Sequence, residues 1–476
     1  MGQEPRLTGP RRPPRAVLAA AAGLLVGLAV LLGYATPLGD RALRPDSARA
    51  VVDHAAQGRG GAADIRTGAT PLPGGTGDLT RDELTGLIAG QNDALARRDA
   101  AAFLAPYAAD RQDLRAERGR LFANLLKIPF SRAEYRYQDA QPVPADSAGR
   151  RRTSTVTVVF SHQITGVDVA PIGETYRWTV TRPGPGEPLA ITAVDGGAPD
   201  AAHRNTTYPA PWDAAELVLV DKPHVLLLAA KQHEAKAALW ATRAEAAATR
   251  NLASWQSPEP TPGRFVVFLT PDHAAFERVR GGDTVTTNAI GVCVSLPADP
   301  AGRGPATPDF AGSRIYVDST AQDITTGKAE DTIAIFRHEM GHAMVAPFQK
   351  RVAGNGPPLW VAEGFAGYLE WSDRSLERWY VPAARDQVRS GTFDGRLPTD
   401  AQIYADDPRT SSAGYHFAML AIRYIAEKYG AAKAYAFVVA VYRDPSSVDA
   451  ALRTATGLDH GQFEAKWTQY VKAKAG

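Results

Sequence analysis

In the stretch EDTIAIFRHEMGHAMV, residues 330–345, two histidines and a glutamate have types and spacing that chemistry can use. If the stretch is helical, His338 and His342 lie four residues apart and project from one face, so both imidazoles can meet a single Zn²⁺. Glu339, one position on from the first histidine, falls to the side of that face. There a carboxylate can take a proton from a metal-held water without ligating the metal. With 10 histidines in 476 residues, the pattern arises by accident roughly 0.01 times per such chain.

A catalytic zinc takes three protein ligands and keeps one position open. Twenty-one residues beyond His342, GNGPPLWVAEGFAGYLEW supplies the candidate third ligand, Glu363. Pro357 and Pro358 suit a loop that reverses and starts a second helix, which can lie against the first and aim Glu363 at both histidines. Cys293 is the only cysteine, so a disulfide framework and a multi-cysteine metal cluster are excluded. Its surroundings, NAIGVCVSL, read as a buried strand in which the thiol is a small apolar side chain.

The elements that must position these residues follow from pattern. Glu330 and Asp331 suit the first turn of the HEMGH helix, and Ile333, Ile335, Phe336, Met340 and Met344 supply its apolar contacts. Strand-like runs precede it at 216–220, 224–229, 264–270, 288–296 and 313–319, with an alanine-rich helix after the second. From residue 330 onward the pattern is helical. Further upstream, Thr80-Arg-Asp-Glu83 is a capping box that opens a helix, more helix follows to LLKI, and strand runs occur at 133–137, 153–164, 174–181 and 189–194. Helices followed by strands predict an α+β domain over 80–198. Its element order and the pattern ALARRDAAAFLAPYA resemble an NTF2-like domain, a curved sheet wrapped around helices. His162, in one of its strands, reads as a strand residue without a catalytic part.

Residues 16–35, AVLAAAAGLLVGLAVLLGYA, carry no charge over twenty positions, the length a helix needs to cross a bilayer. The reading is a basic tail at 1–15, a single transmembrane signal anchor at 16–36, with a removed signal peptide as the alternative, and a flexible linker at 37–79 rich in Gly, Ala, Thr and Pro. This places the protein in the cell membrane with its C-terminal bulk on the extracytoplasmic side. The formal net charge of +2, from 53 basic and 51 acidic side chains, gives no footprint for nucleic acid.

HEMGH followed at this distance by WVAEGFAGYLE resembles the gluzincin metallopeptidases, in particular the peptidase MA-like families whose third zinc ligand is the glutamate of a W-x-x-E-G-x-A helix. The resemblance covers residues 210–476. It implies a thermolysin- or aminopeptidase-like zincin domain, with a mixed sheet and a mainly helical C-terminal lobe. It further implies one Zn²⁺ on His338, His342 and Glu363, with Glu339 as general base toward a peptide or protein substrate. In AGYHFAMLAIRYIAEKYG, Tyr415 resembles the family tyrosine that stabilises the oxyanion, with His416 as the alternative. IYVD resembles the strand ahead of the HExxH helix, and the peptide is expected along an edge strand near Arg314 to Asp318.

Two departures from the family pattern matter. Where some gluzincins have an aspartate four residues after the third ligand to orient a histidine, this chain has Gly367. Glu370 one turn further, backbone or water must then do that work. No G-A-M-E-N-like motif precedes the HEMGH helix, so an endopeptidase is expected rather than an aminopeptidase. The competing reading is a catalytically silent zincin-like scaffold or ligand-binding surface protein; Glu339 argues against it, because a structural site needs no carboxylate there.

Overall fold

The computed structural model describes residues 79–144, 152–196, 208–280, 289–302, 309–349, 356–373, 376 and 381–475. The basic tail, the membrane anchor and all but the last residue of the linker expected at 1–79 lie outside the described residues. No helix among the described residues is long and apolar enough to cross a membrane.

The fold is mixed α+β with two sheets. It opens with α1 (Arg81–Ala96), α2 (Ala100–Leu104) and α3 (Gln112–Leu125). The capping box at the start of α1 forms as the sequence suggests: the Glu83 N–H donates to Thr80 Oγ1 at 3.3 Å and the Thr80 N–H donates to Glu83 Oε2 at 2.9 Å. Then come β1 (Phe130–Val143), β2 (Arg152–Ile164), β3 (Ile172–Arg182) and β4 (Ala190–Gly196), antiparallel in the order β1-β2-β3-β4. β1 runs well past the expected 133–137. It is an edge strand whose polar second half has no apolar run to announce it, yet its backbone pairs with β2 as far as Val143–Thr153. The helices bury Leu84, Ile88, Phe103 and Phe122 against Tyr135, Phe160 and Trp178 of the sheet.

α4 (Pro211–Ala214) leads into the second sheet: β5 (Leu217–Asp221), β6 (Val225–Ala230), β7 (Phe265–Thr270), β8 (Gly291–Pro297) and β9 (Phe310–Asp318). α5 (Glu234–Ser254) joins β6 to β7, and α6 (His273–Arg280) follows β7. The spatial order is β5-β6-β7-β9-β8. β6, β7 and β9 are parallel, while β5 and β8 run antiparallel at the two edges. This corrects the expected substrate edge: Arg314 to Asp318 belong to β9, which is interior, and the edge strand beside it is β8. Arg314 is itself buried, its guanidinium donating to both oxygens of Asp168 at 2.7 and 2.8 Å.

Strand alternation gives this sheet two apolar faces. Val225, Leu227, Phe265, Val267, Ile315 and Val317 share a core with Trp240 and the alanines of α5 and with the HEMGH helix. Leu226, Leu228, Val266 and Phe268, of opposite parity, share a core with the first sheet and its helices. The two sheets therefore enclose continuous apolar packing. Trp212 sits inside it, its ring 5.9 Å from that of Phe130 and 6.2 Å from that of Phe268.

The rest is helical: α7 (Gln322–Thr325), α8 (Ala329–Val345), α9 (Leu359–Trp371), α10 (Pro382–Ser390), α11 (Asp400–Ile403), α12 (Pro408–Tyr429), α13 (Ala431–Arg443), α14 (Val448–Thr456) and α15 (His460–Ala475).

Candidate metal centre

α8 carries HEMGH and α9 carries WVAEGFAG, so the site depends on how closely these helices approach. Glycines set that distance. A Cβ on Gly341 of α8 would lie 3.1 Å from Ala366 Cα of α9. On the far side of α9, a Cβ on Gly364 would lie 2.5 Å from the Ala418 carbonyl oxygen of α12, and one on Gly367 would lie 3.1 Å from Met419 Cβ. The three helices thus pack closely here, and at Gly364 a larger residue would have to push α9 and α12 apart.

The stacking brings the three expected ligands together. His338 Nε2 and His342 Nε2 are 3.3 Å apart. Glu363 Oε2 lies 3.3 Å from the first and 3.4 Å from the second. All three residues are buried. Two donors each ~2.1 Å from a tetrahedral zinc lie ~3.4 Å apart, so this triangle has the size such an ion requires. Glu363 Oε2 has no aligned hydrogen-bond donor among the described residues, although it is buried. A carboxylate oxygen and two imidazole nitrogens converging in a dry interior fit a cation between them.

Glu370 occupies the orienting role that Gly367 leaves open. Its Oε2 lies 3.1 Å from His338 Nδ1. A carboxylate only accepts, so Nδ1 carries a proton and Nε2 is the nitrogen left to face a cation. At Gly367 itself a Cβ would already lie 3.1 Å from Met419 Cβ of α12, tighter than ordinary contact.

Glu339 is fully buried, and neither of its oxygens has a hydrogen-bond partner among the described residues. It packs against the first residue of the edge strand; a Cβ on Gly291 would lie 2.7 Å from Glu339 Oε1. Burial pushes its carboxyl up to about 8. Burial works against the His338 imidazolium, but the adjacent Glu363 and Glu370 carboxylates outweigh it and lift that group to about 10 in the metal-free site. Burial lowers His342. Burial also resists ionisation of Glu363, yet the two imidazoles hold its carboxyl down to about 2.

Tyr415 of α12 is buried, and its phenol is pushed well above the usual range by burial and then by the charges of Glu363 and Glu339. The hydroxyl that bonds an expected ligand, however, is that of Tyr404, which donates to Glu363 Oε1 at 3.0 Å. The two tyrosine rings are 6.4 Å apart. His416 lies on another side of the helix, its ring 6.4 Å from that of Trp371 and its imidazolium driven down to about 3 by burial, Arg423 and Arg385. Tyr404 escaped the sequence reading because it follows Glu363 by 41 residues in TDAQIYADD, which matches no metal-site spacing. Comparison with protein-family models gives no match, and comparison with curated proteins gives none.

Proposed function

We propose that this chain is a membrane-anchored zinc endopeptidase of the gluzincin kind. The convergence of His338, His342 and Glu363 with Glu339 alongside is the observation that carries the proposal. Zinc held by these three residues would acidify a water and polarise a scissile carbonyl. Glu339 accepts the proton of that water and delivers it to the leaving amine nitrogen. Its oxygens face no competing donor among the described residues, which leaves them available for that exchange. Tyr415 donates a hydrogen bond to the developing oxyanion, a contact that accelerates the reaction only insofar as it strengthens in the transition state.

A peptide substrate would add to β8, the edge strand whose Gly291 borders Glu339. The four-stranded antiparallel sheet with three preceding helices supports the NTF2-like reading of the N-terminal domain. The apolar segment at 16–36 would hold the assembly at the membrane. In the decisive comparison, Glu339→Gln retains about one zinc and loses peptide hydrolysis by about 10²–10⁴-fold, whereas His338→Ala loses both. A Glu339→Gln protein that cleaves a peptide library as fast as wild type would sink the assignment.

A further inference from the structure

We infer that Tyr404 is a positioning residue for the third ligand, carried by a four-residue helix that grips α9 at two points one turn apart; this rests on the metal-centre reading above. α11 is too short to be stable alone, so its own fixings matter. Its capping box is complete: the Gln402 N–H donates to Thr399 Oγ1 at 3.3 Å, and the Thr399 N–H donates to Gln402 Oε1 at 2.8 Å. It is seated on α12, where Ser411 Oγ donates to the Ile403 carbonyl at 2.7 Å. A Cβ on Gly414 would come within 2.9 Å of the Gln402 carbonyl oxygen, so glycine is what permits this seating.

From that seat two hydrogen bonds reach α9. At the start of α11, Asp400 Oδ1 accepts from the Leu359 N–H at 3.0 Å, satisfying a first-turn donor that a helix cannot satisfy internally. Directly after its end, the Tyr404 hydroxyl donates to Glu363 Oε1 at 3.0 Å. Asp400 and Tyr404 are four residues apart, as are Leu359 and Glu363, so the two bonds are successive rungs between the short helix and α9. The consequence falls on Glu363, whose two oxygens have different partners. Oε2 faces both imidazoles and Oε1 is held by the phenol. A carboxylate tied in this way presents one oxygen to a cation and cannot swing the other round. Tyr404 acts through Glu363 and touches no reacting atom.

The test compares the full chain with Tyr404→Phe, which keeps the ring and removes only the hydroxyl. Three quantities are measured: the zinc dissociation constant by chelator competition, the visible absorption of the Co²⁺-substituted protein, and the thermal midpoint of the metal-free protein. Zinc binding should weaken by about 10- to 100-fold and the cobalt bands should move, while the metal-free midpoint stays within about 2 °C. A dissociation constant within about twofold of wild type, with unmoved cobalt bands, overturns the inference. If the midpoint falls, Asp400→Asn decides, because it cuts the other rung. Equal affinity losses in both variants mean a merely structural clamp and overturn the inference; a larger loss with displaced cobalt bands in Tyr404→Phe alone supports it. Wild-type protein that binds neither zinc nor cobalt overturns the metal-centre reading itself, and this inference with it.

Discussion

Glu370 and Gly291 show how single residues finish what the HEMGH spacing begins. Removing the Glu370 charge with Glu370→Gln loosens the His338 tautomer, and zinc affinity should fall by about tenfold, measured by chelator competition. Gly291→Ala would put a methyl 2.7 Å from Glu339 Oε1, so the proposed base has to shift. We expect kcat to fall by about 10- to 100-fold while zinc stoichiometry is kept, and an unchanged kcat would show that the base tolerates displacement. Away from the candidate metal centre, burial holds Glu174 up to about 8 against an ordinary 4.5, with Arg314 and Trp212 only partly opposing it. Between those values the folded chain holds a proton that the unfolded chain has released. Its stabilisation is therefore complete below pH 4.5 and is lost as pH rises toward 8, by at most about 1.4 kcal/mol per pH unit. Glu174→Gln should flatten the alkaline fall of the thermal midpoint. The histidine pair was legible because i and i+4 neighbours share a face whatever the rest of the chain does. Glu370 stood in the sequence as one of several possible orienting groups, since choosing it required knowing that it comes within 3.1 Å of His338 Nδ1. Tyr404 was not legible, because its bond to Glu363 is wholly tertiary.

Helix spacing, more than helix propensity, governs the elements around the site. Gly364→Ala would gain about 1 kcal/mol of helix propensity, but the new methyl would meet the Ala418 carbonyl oxygen at 2.5 Å. Overpacking of this kind costs about 1–3 kcal/mol, so the clash prevails and the thermal midpoint should drop. Zinc affinity should drop with it, because α9 carries Glu363. A midpoint equal to or above wild type would show that α9 and α12 can separate freely. Strand positions were readable from composition to within a few residues, β1 excepted. Their order was not, because β8 and β9 are both apolar runs and nothing local says that β9 inserts beside β7 and leaves β8 outside. For that reason the expected substrate edge fell on the wrong strand.

Across the whole molecule, the boundary between the two sheets is a shared interior. Leu226, Leu228, Val266 and Phe268 pack into the same core as Phe160 and Trp178, and Asn124 of α3 binds the chain on the other side through the Trp212 and Ala215 carbonyls at 2.8 and 2.7 Å. A chain cut to residues 208–476 would expose those four side chains, each contributing roughly 1.5–3 kcal/mol by burial. It should elute as aggregate in size-exclusion chromatography, and a soluble, zinc-binding monomer would contradict the shared core. That core also bears on how the protein is made. Residues 79–196 leave the ribosome before β5 does, so the second sheet can condense on an apolar surface already folded and waiting for it. In a circular permutant that moved this segment behind residue 475, β6 and β7 would wait uncovered through most of synthesis. The order of translation would then serve as a chaperone supplied by the chain itself.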